Sequence, residues 1–402
     1  MAFKSSKLGI LAFFLAAASP LATPIAKAAE EGPERSFVGE DLFKLEGAVD
    51  PQVSPDGTKI IYVRMSNDVM ADKATPMIWL VDIASGRQSP LVAGRSPRWS
   101  PDGTRLAYVG GGNGPELHVR WLDGGADSKL TTLAAAPGGL SWSPNGESIA
   151  FVMRGPDDGP KLGKAPNKPE GAKWADGLEV IDRVTYRYDD AGYIKPGFNH
   201  VFLISATGGA PRQLTFGKFD HGAPLSWSPD SRSILFSANR RADWEREVND
   251  SDIWSLDIAS GALTQLTKRY GPDAAPQVSP DGRLVAYVGF DDKYRSYENA
   301  QLYVMNRDGS GARSLTAKLD RSIDDLAWSS NSIIVSYDDK GEKKVARVGL
   351  NGSIKVLASG LAAGTGYDRP YAGGDFSVSK GGVIAYTASG TDRPADLWVT
   401  SG

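Results

Sequence analysis

The chain has 402 residues, 41% of them hydrophobic and 23% charged, with a formal net charge of −3 and no cysteine. Disulfides and thiolate metal sites are therefore excluded. So small a charge, negative in sign, argues against general nucleic-acid binding.

Residues 1–28 read as a secretory signal: Lys4 and Lys7 precede an apolar run over 8–18, and Ala26-Lys27-Ala28 has the form of a cleavage site. The run is short for a bilayer span, and no later stretch reaches that length. Cleavage after Ala28 leaves 374 residues with a charge of −6, because the segment removed holds three lysines and no acid. The mature protein is expected to be periplasmic or secreted, away from the membrane, with 29–48 as a lead-in segment.

From residue 49 onward one turn phrase recurs. It stands as VSPDG at 53–57, WSPDG at 99–103, WSPNG at 142–146, WSPDS at 227–231, VSPDG at 278–282, WSSNS at 328–332 and FSVSKGG at 376–382. From serine to serine the steps are 46, 43, 85, 51, 50 and 48 residues. Repeats of about 40 to 50 residues are characteristic of β-propeller blades. Proline pre-sets the second turn position, Asp or Asn suits the third and glycine accepts positive φ at the fourth, so each phrase is a hairpin turn. A second strand follows each turn, as in Ile60-Ile61-Tyr62-Val63 and Leu106-Ala107-Tyr108-Val109, then a third with an aromatic centre, as in Ile78-Trp79-Leu80 and Ile253-Trp254-Ser255. Short fourth strands end in Leu-Thr at 214–215, 266–267 and 315–316. The fold expected is all-β, a seven-bladed propeller of four-stranded antiparallel blades occupying 49–402.

Trp99, Trp142, Trp227 and Trp328 hold the same place in their repeats, so packing between neighbouring blades accounts for all four with one cause. Asp56, Asp102, Asp230 and Asp281 are turn formers, because their spacing lacks the dense oxygen ligands of a calcium loop. His118, His200 and His221 are the only histidines; scattered over the repeats, they make no expected metal site, and no cofactor is expected.

Two irregularities break the pattern. The step of 85 residues reflects an insertion over 154–197 in repeat three, between its second and third strands. It opens as a Gly/Pro/Lys-rich run and continues as LEVIDRVTYRYDDAGY (178–193), read as a hairpin turning at Asp189-Asp190. Loops this long tend to carry function. The last blade is incomplete, because Leu397-Trp398-Val399 is its third strand and only three residues follow. Either an N-terminal segment fills the fourth place or the sequence continues elsewhere.

DPQVSPDG (50–57), VTYRYDDAGY (184–193) running on to HVFLI (200–204), RRADWEREVNDSDIW (240–254) and ENAQLYVMNRDG (298–309) together resemble the prolyl oligopeptidase family. The likeness is to the N-terminal propeller of its acylaminoacyl-peptidase and dipeptidyl-peptidase branch, and it extends over essentially the whole mature chain. It implies a propeller that restricts access to an α/β-hydrolase domain whose serine sits in a G-x-S-x-G elbow. No such elbow and no strand-helix alternation occur here, so the chain is expected to be the non-catalytic half of an exported serine oligopeptidase, inactive alone. The partners implied are short peptides entering by the propeller channel and the missing hydrolase domain. Candidate peptide contacts are Glu179, Asp182, Tyr186 and Asp189, where a carboxylate can pair with a free α-amino group. The alternative role for these residues is to brace the insert hairpin through surface pairs Asp182–Arg183 and Arg187–Asp189. Two other readings stay open: a protein-binding propeller like that of the periplasmic Tol system, and a propeller hydrolase with facing carboxylates from different blades.

Overall fold

The computed structural model describes residues 36–401 except 113, 156, 158, 160–162, 164–165, 176–179, 190–191, 363–372 and 391, together with the backbone of Thr23–Pro24. The expected signal segment, 1–28, otherwise lies outside the described residues.

Blades one to five are separate four-stranded antiparallel sheets. Their first strands are Glu46–Val53, Arg95–Trp99, Gly138–Trp142, His221–Trp227 and Asp273–Val278. Blade six (Ile323–Ser329, Ser332–Asp339, Glu342–Gly349, Ile354–Leu361) and blade seven (Phe376–Val378, Val383–Gly390, Arg393–Ser401) share one sheet through the single pair Leu361 and Ala388. Among the described residues, the fourth place of blade seven is taken by Thr23–Pro24, paired with Val399 and Trp398. The first strand begins at Glu46, just inside the expected lead-in, after a short 3-10 turn at Gly39–Lys44.

The turn phrase does what its residues require. In blade one the Gly57 N–H donates to the Ser54 carbonyl at 2.9 Å with Gly57 at φ 76°, while the Ser54 hydroxyl donates to Asp56 and accepts from the Lys59 N–H. The same serine arrangement repeats at Ser100, Ser143, Ser228 and Ser279. The hydroxyl comes first among the causes that hold Asp56, Asp230 and Asp281 below the usual carboxylate range.

The core lies between the blades. Each second strand carries two consecutive residues fully removed from solvent: Ile60-Ile61, Leu106-Ala107, Ile149-Ala150, Ile234-Leu235, Val285-Ala286, Ile333-Ile334 and Ile384-Ala385. Successive strand residues point to opposite faces, so each pair divides between two neighbours. Ile61 packs with Leu106 of blade two, whereas Ile60 packs with Ala385 of blade seven. Seven such apolar clusters occur among the described residues, one for each blade junction, and the seven-to-one cluster closes the ring.

The repeated tryptophans reinforce these seams as the sequence suggests. The indole N–H of Trp99 donates to the Gln52 carbonyl, Trp142 to Arg98, Trp227 to Ser141 and Trp328 to Gln277, at 2.9 to 3.2 Å, each reaching the first strand of the preceding blade. Where valine replaces tryptophan, a serine hydroxyl of the adjoining blade takes over: Val53 N–H donates to Ser377 and Val278 N–H to Ser226, both at 2.9 Å. The threonines of the Leu-Thr phrases lie just beyond short fourth strands and accept the third-strand N–H of Val201, Ile253 and Leu302.

His200 and His221, expected apart, meet with ring centroids 5.1 Å from each other at the junction of blades three and four. His221 is fully buried; its Nδ1–H donates to the Asn199 carbonyl at 2.9 Å and its Nε2 accepts from Arg240 at 2.7 Å. Burial first, with the neighbouring His200 and Arg240, lowers His221 to about 4.

Two outcomes follow. Trp142→Phe leaves the part-buried Arg98 carbonyl without this donor and should lower the unfolding free energy in urea by about 1 kcal/mol. For His221 the folded value lies below that of the unfolded chain, about 6.5. The unfolded chain therefore binds the extra proton, and stability is full above pH 6.5 and lost as the pH falls toward 4, by up to about 3 kcal/mol. Unfolding curves of the parent chain and His221→Gln should therefore converge as the pH is lowered; curves that stay parallel would refute the assignment.

Candidate functional site

Each first strand runs from one face of the ring to the face that carries the SPDG turns. The other face, here the connection face, holds the loops joining second to third strands and the links between blades. Of the twenty exposed large apolar side chains among the described residues, all but Trp121, Ile354 and Val356 lie in lead-in or loop segments at the connection face. The insertion emerges there too, since the second strand of blade three ends at Arg154 and the third begins at Asn199. Its hairpin is short among the described residues, with Arg187–Tyr188 paired to Gly192–Tyr193 and the Ile194 N–H donating to the Tyr186 carbonyl at 2.8 Å.

The insertion and blade four enclose a cleft of about 410 Å³. Of the four candidate peptide contacts, Asp182 and Tyr186 line it, Asp189 sits in the hairpin turn and is not part of the lining, and Glu179 lies outside the described residues. Neither expected surface pair forms. Arg183 instead donates to the Gly197 carbonyl at 3.2 Å and stacks over Phe198, 4.0 Å from its centroid. Phe198 meets Trp244 of blade four edge to face, with centroids 5.8 Å apart and planes at 79°. Tyr186 and Tyr193 form a second aromatic pair at 6.2 Å. Asp182, Glu245 and Lys218 line the cleft without a hydrogen-bond or ion-pair partner. Trp244, Glu245, Phe198 and Lys218 were not anticipated. The only sequence signal for the first two is RRADWEREVND, a charged run with one tryptophan at the blade-four loop.

A second arrangement was invisible in the sequence: carboxylates of three blades converge on the inner wall of the ring. Asp50 in blade one binds Arg98 of blade two through both oxygens at 2.8 and 2.9 Å, and its N–H donates to the Asp375 carboxylate beside blade seven at 2.8 Å. Burial among protein groups comes first in raising both Asp375 and Asp325 of blade six, with the charge of Asp375 adding to the rise at Asp325 and the charge of Asp50 to that at Asp375, although both residues keep solvent-exposed surface. For Asp375 the hydrogen bond from Asp50 opposes that rise. Lys343 pairs with Asp324 on the same wall. Among the described residues no group of three or more His, Asp or Glu has an arrangement suited to a metal ion, and no helix is long and apolar enough to cross a membrane.

Comparison with known proteins agrees with the propeller architecture. Residues 180–287, which include the described part of the insert hairpin and all of blade four, match the family of the dipeptidyl peptidase IV N-terminal region. The chain is 28% identical to the uncharacterized peptidase YuxL of Bacillus subtilis over 215 residues, 51% of this chain and 32% of that protein. It is 24% identical to dipeptidyl-peptidase 5 of Porphyromonas gingivalis over 377 residues, 86% of this chain and 51% of the relative. Among solved structures, the β-propeller domain of the Trilobed protease from Pyrococcus furiosus superposes with a TM-score of 0.62 at 15% identity, covering 89% of this chain and 96% of that one. The chain thus spans about a third to a half of the length of these curated relatives. It is similar to the N-terminal propeller region of dipeptidyl-peptidase-type enzymes, the family match itself covering residues 180–287.

Proposed function

We propose that this propeller is the substrate-gating, non-catalytic part of an exported serine oligopeptidase, and that the blade-three cleft holds the amino end of a short peptide. The observation that carries the reading is the cleft itself, about 410 Å³ with unpaired Asp182 beside Tyr186, on the face where exposed apolar side chains gather. A gating propeller needs one face that covers a catalytic domain and a site that engages substrate on that face. The opposite face, tiled with hydrogen-bonded turns, offers neither. A carboxylate bordered by aromatic rings suits an ammonium group, through charge-assisted hydrogen bonds and the negative ring faces. The channel acids Asp50, Asp325 and Asp375 favour passage of the same cationic end. Rigid seams between blades make the ring a sieve that admits an extended peptide and refuses a folded domain. Cleavage itself belongs to a hydrolase domain supplied elsewhere in the whole protein.

The role in the cell is checked by immunoblot of the envelope fraction. A species well above the mass of this chain, carrying peptide hydrolysis blocked by a serine-directed inhibitor, is expected; a species at the mass of the propeller alone, with no hydrolysis, would sink it. The site is checked by calorimetry of the chain with tripeptides. Asp182→Asn should weaken binding of a free-amine tripeptide about three- to fivefold, the range of a partly exposed ion pair. The N-acetylated tripeptide should bind both proteins equally.

A further inference from the structure

The two walls of the blade-three cleft differ in kind, and the difference specifies more than an amino group. On the floor and the blade-four side, Phe198 lies between the Arg183 guanidinium on its face and the edge-to-face Trp244 indole. Arg183 is bound to the Gly197 carbonyl as well, so its charge is engaged within the insert. Tyr193, Ile194 and Pro196 continue the apolar surface on the insert side. Trp244 is only part-buried, so some of its indole surface remains uncovered at the cleft. Its turn is held in place: Arg246 and Glu247 N–H groups donate to the Asp243 carbonyl, Asn239 donates to the Glu247 carbonyl, and Arg241 pairs with Asp243 and with the buried Asp250. A fixed indole in a cleft that a second aromatic pair also lines is a preorganised seat for an apolar group. The unpaired Asp182 and Glu245 come from opposite walls, one from the insert and one from the blade-four turn. The volume falls in the lower part of the range of about 300–1,000 Å³ usual for small-ligand pockets.

We propose that this cleft selects peptides whose amino-terminal residue has a large apolar side chain, and that Trp244 is the residue that sets the preference. The inference rests on the peptide-end reading given above and deepens it: Asp182 and Glu245 take the ammonium group while the first side chain covers the open part of the indole. Selectivity then comes from a blade-four residue, outside the insert that supplies the charge. Small or polar first residues leave the indole wet and forfeit the apolar contact.

The test is calorimetric binding of Phe-Ala-Ala, Leu-Ala-Ala, Ala-Ala-Ala and Ala-Ala-Phe to the chain. Phe-Ala-Ala and Leu-Ala-Ala should bind about tenfold more tightly than Ala-Ala-Ala, a contrast matching the partial burial of a few carbon atoms. Ala-Ala-Phe should match Ala-Ala-Ala. Trp244→Ala should bring the ratio close to one, Trp244→Phe should retain most of it, and Asp182→Asn should weaken all four peptides by a common factor. Each variant is compared with the parent by its unfolding midpoint, and the Trp244→Phe and Asp182→Asn pair keeps the test decisive should Trp244→Ala unfold. Equal affinities across the four peptides, or a ratio unchanged in both Trp244 variants, would overturn the selectivity and leave the peptide-end reading standing. Absence of saturable binding by any of them would overturn both.

Discussion

Everything in this molecule depends on the burial of both faces of every second strand. A sheet covered on one side alternates apolar and polar residues, but here Ile60 and Ile61, or Ile333 and Ile334, are consecutive and both fully buried. A blade therefore has no core of its own; it becomes stable only when it lies between two others. Burying a side chain of this size stabilises by roughly 1.5–3 kcal/mol, and each blade spends that gain on two different neighbours. Seven seams with no free end follow, and the junction of blades seven and one is made of the same material as the rest. The indole N–H bonds and their serine substitutes then fix the register of each blade on the one before it.

A ring stabilised in this way leaves its loops free to serve other ends. The turn face is saturated with local hydrogen bonds from the repeated serine and aspartate, so it exposes little that a partner can use. The connection face has no such repeated device, and its loops differ in length from the short link between Asp339 and Glu342 to the insertion of blade three. Exposed apolar side chains accumulate there because packing within the ring does not need them. The roots of the insertion are nonetheless fixed, since Asn199 at its end binds the buried His221, which is held in turn by Arg240. A long loop on a rigid base is the combination that recognition requires.

The repeat, the blade count, the turn chemistry and the interblade task of the tryptophans were all legible in the sequence because each has a local signature copied several times. The site was legible only in part. Asp182 and Tyr186 were reachable because the insertion interrupts the period and draws attention to its acids and aromatics. Trp244 and Glu245 sit 62 and 63 residues beyond Asp182, in a different blade, and nothing periodic marks them. The meeting of His200 with His221 was likewise obscured, since neighbouring blades bring together residues that the chain separates.

The first-strand bulges show the limit most clearly. Blades one to six each carry a register shift near the middle of the first strand, at Val49/Gln52, Arg95/Arg98, Gly138/Ser141, Gly222/Ser226, Ala274/Gln277 and Ile323/Leu326. The residues within the shift follow no common motif: Asp50, Ser96 and Ala275 take positive φ, Gly139 does so at little cost, and blade four uses Ala223-Pro224. A bulge adds local twist and re-aims the side chains beside it. It is what turns Asp50 so that its carboxylate reaches Arg98 while its N–H meets Asp375. The converging carboxylates are thus a product of backbone geometry shared by the blades and of side chains that are not. A sequence repeat records the first only where a residue type is indispensable to it, and an antiparallel bulge accepts too many residue types to leave such a record.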